Sequence, residues 1–344
     1  MFPMRQNSFR KSLLILFATV LTLGVLLAAA GYVQFRGNAL KEPCELYVSR
    51  SADYRTLTDS LLPHLRHKAA FRVYARHLNL SERFKPGHYL LKPKMSVMEI
   101  VRTLKLGLQT PVQVTFNNVR TIPQLAGRLA GQIDADSLGL LAVLTDRKTA
   151  ERVGFDSLTL FSLFLPDTYE CYWTTTPDEL VDRMKREYDR FWTEARDARR
   201  RRSGLSRLEV MTLASIVYEE TRQTDEMPRV AGVYINRLRK GMKLQADPTV
   251  KYALQDFSLR RILNKHLTTP SPYNTYVHAG LPPSPICMPG KAAIEAVLDF
   301  EQHDYLYFCA RPTFDGHHNF ARTYAEHLRN ARAYAAELNR RNIK

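Results

Sequence analysis

The chain has 344 residues, with 50 lysines and arginines against 34 aspartates and glutamates, which gives a formal net charge of +16. A composition of 45% hydrophobic and 24% charged residues is typical of a globular protein and excludes wholesale disorder. Four cysteines are too few for a scaffold built on disulfide bonds. The positive charge indicates an anionic partner, and at this point nucleic acid, anionic lipid and anionic polysaccharide all remain open.

An uncharged apolar run occupies residues 13–33 near the N-terminus. At ~1.5 Å per residue, a helix of this length spans a bilayer core of roughly 30 Å. The run is longer than the ~7–15 apolar residues of a cleaved signal peptide, so we expect a transmembrane helix. Three cations precede it and two follow it, which is a mild bias toward a cytoplasmic tail at residues 1–12. The rest of the chain is then expected outside the cytoplasm, which disfavours nucleic acid as a partner.

That placement also bears on the cysteines and on cofactors. Cys44, Cys171, Cys287 and Cys309 would lie in an oxidising compartment, where one or two disulfide bonds are possible and the pattern assigns no pairing. An extracytoplasmic enzyme has no supply of ATP or nicotinamide cofactors. No spacing of cysteines and histidines indicates zinc, so neither a metal nor a cofactor is expected.

The first half of the soluble part combines helices with short strands. Ser96 with Glu99 forms a predicted capping box, and Thr121 is a predicted N-cap. A charged helix is expected to end in the four arginines at 199–202, which favours a solvated helix end over a nucleic-acid patch. The predicted helices are residues 72–78, 98–106, 122–129, 134–153 and 177–202, and the predicted strands are residues 87–93 and 112–116.

A further helix is predicted from the capping box of Ser206 and Glu209 to about Thr221. Its apolar residues recur on one face, and the last residue on that face is the carboxylate Glu220. Glu219 lies about 100° round the helix from Glu220. The residues at i, i+3, i+4 and i+7 on this face are Leu213, Ile216, Val217 and Glu220.

The pattern thus puts the carboxylate of Glu220 on the buried side of the helix, near its end. Burial disfavours the charged form and raises a carboxyl pKa, which suits a general acid near neutral pH. The same spacing also fits a carboxylate at the helix rim that pairs with Arg222 or Arg229, and spacing alone does not choose between these interpretations.

The next helix is predicted to begin at Pro228 and carries Asn236 near its end. Gln245 and Asp247 follow on an extended segment. Asp247 either orients a substrate hydroxyl or caps the next predicted helix at residues 249–254.

Aromatic and amide side chains then occur on a proline-rich loop, at Tyr273, Asn274 and Tyr276. Such rings stack on pyranose faces and amides bond hydroxyls, although the same residues are common in ordinary turns. His317 and His318 are adjacent and rarely ligate one ion, so a metal site is not expected there. The last predicted elements are a strand at residues 305–308 and a helix at residues 323–339.

Taken together, these residues resemble the endolytic murein transglycosylases, the MltG or YceG-like family. The similar blocks occur in the family's order over nearly the whole extracytoplasmic part. They are Pro166–Tyr169, Ala214–Thr221, Val233–Leu238, Leu244–Val250, Tyr273–Tyr276, Gly280–Pro283, Pro289–Gly290 and His318–Phe320.

The resemblance implies cleavage of the glycosidic bond between N-acetylmuramic acid and N-acetylglucosamine inside nascent peptidoglycan strands. The family reaction is non-hydrolytic, leaves 1,6-anhydro-muramyl ends, and is expected to terminate glycan elongation during growth and cell division. One glutamate acts as acid and then as base, and the matching position is Glu220. The expected surroundings are the bacterial inner membrane and peptidoglycan synthases as partners. Our candidates for binding sugar are Asn236, Gln245, Asp247, Tyr273, Asn274, Tyr276 and His318.

The expected fold class is α+β. The transmembrane helix at residues 13–33 is followed by a small LysM-like module at residues 37–110, which would hold glycan, and by a mixed α/β, YceG-like catalytic domain at residues 111–340.

The chain departs from the family pattern beside the expected catalytic residue. Tyr218 stands where the family usually has glutamate, and Glu219 stands where it has lysine. Phe161 and Ser162 replace a frequent Glu-Gly pair. Tyr218 therefore keeps open a non-catalytic peptidoglycan-binding scaffold.

A hydrolytic muramidase is the other alternative. It normally needs a second carboxylate, for which Asp247 is the candidate. A nucleic-acid binder would need a cytoplasmic domain.

Overall fold

A computed structural model describes residues 5–259 and 261–341. The described residues form two compact units. Unit 1 contains the residues up to Gln113 together with Glu170–Thr175, and unit 2 contains Val114–Tyr169 and the residues from Thr176 onward. The expected mixture of helices and small sheets is confirmed.

Unit 1 pairs two strands and covers them with helices. Strands β1 (Cys44–Val48) and β2 (Gly87–Leu91) are antiparallel, with Leu46 opposite Tyr89, and both side chains are buried. The capping box of Ser96 begins helix α5, as predicted. The helices are α1 (Arg5–Arg36), α2 (Tyr54–Leu61), α3 (Lys68–His77), α4 (Leu80–Arg83) and α5 (Val97–Leu106).

Helix α1 contains the predicted transmembrane run. Its residues Arg10–Arg36 are long and apolar enough to cross a membrane. At ~1.5 Å per residue they extend over about 40 Å, more than the thickness of a bilayer core. Large apolar side chains such as Leu16, Phe17 and Leu27 are exposed along it. Such a surface is stable in lipid rather than in water, so α1 fits a membrane anchor.

Strands β3 (Val112–Phe116) and β4 (Asp167–Cys171) form a second two-stranded sheet. The bounds predicted for the strand at residues 112–116 are confirmed.

Unit 2 is mainly helical. Its strands β5 (Tyr307–Ala310) and β6 (His318–Ala321) are antiparallel. Its helices are α6 (Ile122–Leu129), α7 (Ser137–Thr145), α8 (Arg147–Arg152), α9 (Pro177–Phe191), α10 (Glu194–Ser203), α11 (Arg207–Glu220), α12 (Met227–Arg239), α13 (Asp247–Leu254), α14 (Asn264–Leu267), α15 (Lys291–Leu298) and α16 (Tyr324–Arg340).

Two of the predicted helices are each broken in two. The helix expected at 177–202 ends at Phe191, because the Thr193 side chain accepts a hydrogen bond from the Arg196 backbone N–H and starts α10. The Asp146 side chain likewise starts α8 within the helix expected at 134–153. In both places a capping side chain supplies a partner for the free N–H groups of a new helix.

The four arginines at 199–202 lie at the C-terminal end of α10, as predicted. Their guanidinium groups form ion pairs within the protein. The acidic partners are Glu194, Asp197, Glu295 and Asp299.

Helix α11 lies in the core of unit 2 and packs against α12, α13 and α15. We expected one buried face, but Thr212 and Ser215 on the other face are buried as well. The expectation was wrong because neighbouring helices surround α11, and small hydroxyl side chains fit there once they are hydrogen-bonded. The Ser215 hydroxyl donates to the Thr212 carbonyl at 2.7 Å. This packing fixes the end of α11, where Glu220 lies.

The four cysteines all lie in the described part of the chain, and each is a free thiol. Three of them, Cys44, Cys171 and Cys287, are buried. The disulfide bonds that the compartment made possible are therefore not formed in this structure.

Candidate active site

Glu220 is the last residue of α11, and its carboxyl meets a tyrosine of α12. Its Oε1 accepts a hydrogen bond of 2.7 Å from the hydroxyl of Tyr234, which is 1% exposed. The three apolar residues that share its helix face are fully buried, and Glu220 itself is partly buried at the end of that face.

The alternative of a rim ion pair for Glu220 is wrong. Arg229 pairs with Glu301 at 2.9 Å, and the Arg222 guanidinium lies over the ring of Tyr218, 4.8 Å from its centroid. The Glu220 carboxyl is instead hydrogen-bonded by a neutral phenol, that of Tyr234.

Burial raises the pKa of Glu220 to about 7. Part of the side chain is still accessible to solvent, but the atoms packed around the carboxyl remove most of its hydration. The negative charge of Asp247 raises the pKa further, whereas the Tyr234 hydrogen bond and the charges of His318 and Arg237 lower it. Desolvation is the largest effect, so a substantial fraction of Glu220 is protonated near neutral pH.

Arg237 is 8% exposed and orders the chain around the site. Its guanidinium donates to the carbonyls of Leu244 at 2.7 Å and Leu306 at 2.6 Å. These bonds join the segment before α13 to the residue just before strand β5. Arg237 thereby brings a buried positive charge close enough to act on the pKa of Glu220.

Asp247 is the first residue of α13, and its Oδ1 accepts a hydrogen bond of 2.7 Å from the hydroxyl of Tyr276. The interpretation of Asp247 as a helix cap is wrong, because Ala246 occupies the cap position without a side-chain bond. Burial, the bond to Asp247 and the charge of Glu220 all raise the pKa of Tyr276. The three side chains therefore form one electrostatic group.

Gln245 lies on the same segment with its side chain exposed. Its backbone has φ = 50°, a left-handed conformation that is unfavourable for a residue with a Cβ. The Gln245 N–H donates to the Thr275 carbonyl at 3.1 Å, and the Ala246 N–H donates to the Thr275 hydroxyl at 3.0 Å. These bonds hold Gln245 and Asp247 beside the loop that carries Tyr276.

Two other predicted sugar-binding residues use their polar groups inside the protein. The Asn236 amide donates to the carbonyls of His303 at 2.6 Å and Tyr305 at 3.1 Å. The Tyr273 hydroxyl is bonded to the Ser284 hydroxyl at 2.6 Å. In this structure both residues hold loops, and neither is in the group around Glu220.

Asn274 is fully buried and braces its own loop. Its amide donates to the carbonyls of Leu267 at 3.0 Å and Thr269 at 2.9 Å, and its Oδ1 accepts from the Tyr276 N–H at 3.0 Å. Asn274 thus acts on the site by positioning Tyr276.

His318 lies on β6 and is bound by Glu226, the residue just before α12. Its Nδ1 is 2.7 Å from Glu226 Oε2, and its backbone N–H donates to Glu226 Oε1 at 2.8 Å. Glu226 is 3% exposed. Burial alone would raise the pKa of Glu226, but the bonds and charge of His318 outweigh it and lower the pKa.

Sequence reasoning missed Tyr234, Glu226 and Arg237 as parts of the site. Tyr234 lies within the Val233–Leu238 block of the family resemblance, which gave it no role of its own. Residues four apart lie on the same side of a helix, and Glu226 precedes Tyr234 by two such steps, or eight residues. This spacing is the sequence signal that could have placed Glu226 and Tyr234 on one side of the helix.

The two departures from the family pattern that adjoin Glu220, Tyr218 and Glu219, each have a partner. The ring of Tyr218 lies against Gly290, where an added Cβ would be 3.2 Å from the ring, and the Arg222 guanidinium covers its face. Glu219 forms an ion pair of 2.9 Å with Arg120.

The group around Glu220 combines a carboxyl that is protonated near neutral pH with a carboxylate held by a tyrosine and a histidine held by a buried glutamate. Among residues 5–259 and 261–341, no group of three or more His, Cys, Asp or Glu side chains is placed to hold a metal ion. What the arrangement can do is donate a proton at neutral pH and take one back.

The chain is similar to known proteins over most of its length. The family model of the YceG-like family matches residues 46–333. The endolytic murein transglycosylase of Bacillus subtilis (strain 168) is 28% identical over 290 residues, which cover 80% of this chain and 79% of that protein.

The endolytic murein transglycosylase of Streptococcus pneumoniae serotype 2 is 28% identical over 297 residues. The match covers 77% of this chain and 53% of that protein, so the chain spans about half of its length.

A crystal structure of a YceG-like protein from Listeria monocytogenes superposes with a TM-score of 0.56 at 26% identity, covering 84% of this chain and 99% of that one. Because the family match extends over most of the sequence, the chain belongs to the YceG-like family, and its curated relatives identify it as an enzyme of the lytic transglycosylase class.

Proposed function

We propose that this chain is a membrane-anchored endolytic lytic transglycosylase that cuts within nascent peptidoglycan strands. The bond cleaved is the one between N-acetylmuramic acid and N-acetylglucosamine. The observation that carries the proposal is the Glu220 carboxyl, whose pKa of about 7 leaves it able both to donate and to accept a proton. The names of the curated relatives support the substrate class.

Bond cleavage begins with protonated Glu220. It donates its proton to the glycosidic oxygen as the bond from that oxygen to C1 of the muramyl residue breaks. Positive charge develops on the muramyl ring, in a transition state like an oxocarbenium ion. Either the substrate's own acetamido group or nearby protein dipoles stabilise this charge.

Ring closure uses the same side chain as a base. The Glu220 carboxylate takes the proton from the muramyl C6 hydroxyl, and the C6 oxygen bonds to C1. The product is a 1,6-anhydro-muramyl end, and Glu220 is protonated again. Atoms and charges balance without water or a cofactor, so one carboxyl suffices.

The neighbouring side chains set the orientation and the pKa of Glu220 during this cycle. The Tyr234 hydroxyl fixes the orientation of the Glu220 carboxyl and stabilises its ionised form. Asp247 raises the pKa of Glu220 and so favours the acid form. Gln245 is exposed next to Asp247 and is placed to bind a sugar hydroxyl.

A hydrolytic muramidase is the second candidate, and the observation that favours it is Asp247. This carboxylate is close enough to Glu220 to raise its pKa, as a second carboxylate in a hydrolase would be. It would then activate water or attack C1 directly, and the product would be a reducing end.

The location of the enzyme is part of the proposal. Residues 1–12 lie in the cytoplasm, α1 anchors the chain in the bacterial inner membrane, and the catalytic domain faces the cell wall. Residues 37–110 act as a LysM-like module that holds glycan. The partners are peptidoglycan synthases, and the cut ends glycan elongation during growth and division. A reporter enzyme fused to the C-terminus tests the orientation, since only an extracytoplasmic reporter agrees with it.

The activity is tested by incubating peptidoglycan with the full chain in detergent and analysing the fragments by mass spectrometry. Fragments lighter by one water than reducing ends, and absent with Glu220→Gln, support the transglycosylase. Reducing ends support the muramidase. No cleavage by the wild type, together with intact glycan binding, supports the scaffold and makes Tyr218 the residue to change.

A further inference from the structure

The contact between Glu226 and His318 joins two segments that are 92 residues apart in sequence. Both carboxylate oxygens of Glu226 are used, one by the His318 backbone N–H at 2.8 Å and one by Nδ1 at 2.7 Å. The Glu226 side chain is 2% exposed and that of His318 is 15% exposed. A buried carboxylate that makes two such bonds to one residue fixes both its backbone and its ring.

This geometry determines which imidazole nitrogen carries the proton. An ionised carboxylate only accepts hydrogen bonds, so Nδ1 is the protonated nitrogen of neutral His318. Nε2 then presents a lone pair. Among the described residues, no hydrogen-bond partner meets Nε2, and it is not one of the buried unsatisfied atoms.

Helix α12 connects the Glu226–His318 pair with Glu220, because Tyr234 of the same helix binds the Glu220 carboxyl. Glu226 and Tyr234 are eight residues apart, about 12 Å along a helix axis, and therefore share one helix face. The ring of Phe308 contacts both His318 and Tyr234, with its centroid 5.2 Å from that of His318 and 5.8 Å from that of Tyr234. When His318 is protonated, its charge lowers the pKa of Glu220, so the two side chains are near enough to interact electrostatically.

We propose that Glu226 is a positioning residue: it fixes the tautomer of His318 so that Nε2 accepts a hydrogen bond from the glycan strand bound beside Glu220. The donor is a sugar hydroxyl or the N–H of an acetamido group. This inference rests on the proposed transglycosylase function. It assigns to Glu226 a role that acts through His318 rather than on the reacting atoms.

Glu226→Gln is a sharp test because it changes the tautomer with little change of shape. The carbonyl of the introduced glutamine side chain must accept from the His318 backbone N–H, since that group cannot change its proton. The amide NH2 then faces Nδ1, which must become the acceptor, and the proton moves to Nε2. The nitrogen that would accept from the glycan becomes a donor.

The chain offers a matched control one residue away. Asp225 contacts Nε2 of His317 at 3.3 Å and is 74% exposed. Asp225→Asn therefore removes a carboxylate from a neighbouring histidine at the surface. We expect it to leave activity on glycan strands and the His318 signals unchanged.

Two measurements on the full chain in detergent test the proposal: the tautomer of His318 and the kinetics on glycan strands. Nitrogen-15 NMR at alkaline pH is expected to show the Nδ1–H tautomer of His318 in the wild type and the Nε2–H tautomer in Glu226→Gln. With glycan strands as substrate, Glu226→Gln raises KM by about 10-fold, the value of one lost hydrogen bond, and leaves kcat within about twofold. His318→Ala raises KM similarly, and the double variant adds nothing further.

The outcomes separate this proposal from the function on which it rests. If the wild type releases no anhydro-muramyl fragments, the proposed function fails. If the wild type is active and His318→Ala has the wild-type KM, the positioning proposal is overturned while the function stands. A KM increase in Glu226→Gln with an unchanged tautomer also overturns it. Should Glu226→Gln fail to fold, the KM of His318→Ala still decides.

Discussion

The hydroxyl of Tyr234 donates a hydrogen bond of 2.7 Å to the carboxyl oxygen Oε1 of Glu220. It stabilises the ionised form of Glu220, whereas burial and the charge of Asp247 stabilise the protonated form. The balance places the pKa at about 7, where one group serves as acid and then as base.

Removing the Tyr234 hydroxyl should extend the activity to higher pH. Tyr234→Phe takes away a bond that lowers the pKa of Glu220, so Glu220 stays protonated further up the pH scale. In the wild type, kcat/KM falls as pH rises through about 7, and in the variant we expect this fall roughly one pH unit higher. The measurement is kcat/KM against pH on glycan strands. If kcat/KM of the variant falls at the same pH as that of the wild type, Tyr234 does not act on the catalytic proton.

Removing the charge of Asp247 should have the opposite effect. Asp247→Asn takes away a negative charge that raises the pKa of Glu220, so the fall in kcat/KM moves to lower pH. Tyr276→Phe is the matched control, because it removes the hydroxyl bound to Asp247 but keeps the charge. A larger shift in the control than in Asp247→Asn would contradict the electrostatic role.

Glu220→Gln should stabilise the protein at alkaline pH. The pKa of Glu220 is about 7 in the folded chain, against an ordinary value of 4.5. The folded state thus binds the proton more tightly than the unfolded state, and wild-type stability falls as pH rises from about 4.5 through about 7. The variant is expected to match the wild type near pH 4 and to exceed its free energy of unfolding by about 1–3 kcal/mol near pH 8.

Chemical unfolding of both proteins across that range measures the difference. The acidic end serves as an internal control, since the wild-type carboxyl is protonated in both states there. A stability difference that does not vary with pH would show that Glu220 is not held in its protonated form.

Substitutions of Asn236 and Gln245 should have different effects: the first on folding stability and the second on substrate binding. Asn236→Ala leaves two partly buried carbonyls without their donor, so we expect a loss of about 1–2 kcal/mol in the free energy of unfolding and little change in KM. Gln245→Gly removes an exposed side chain and relieves a left-handed backbone, so stability is kept while KM rises. Unfolding curves and KM for both variants test this pair, and the reverse pattern would assign sugar binding to Asn236.

Local signals predicted much of the fold. The capping boxes of Ser96 and Ser206 act within four residues, and helices α5 and α11 begin where they indicate. The break between α9 and α10 was missed because Thr193, its cap, stands within a charged run that reads as one continuous helix.

The site could be predicted only in part, because its contacts join distant segments. Helical periodicity oriented Glu220, since that information lies within α11 itself. The bond of Asp247 to Tyr276 spans 29 residues, and that of Glu226 to His318 spans 92. These pairs depend on how loops and helices pack, so their partners could not be inferred from spacing.

The most direct test of the account is cleavage of glycan strands by the full chain in water labelled with oxygen-18. Ring closure by the C6 hydroxyl adds no water, so we predict products without the label in the wild type and no products with Glu220→Gln. Labelled reducing ends would contradict the account, because they would mean that water attacks C1 and that Asp247 supplies the second carboxylate of a hydrolase.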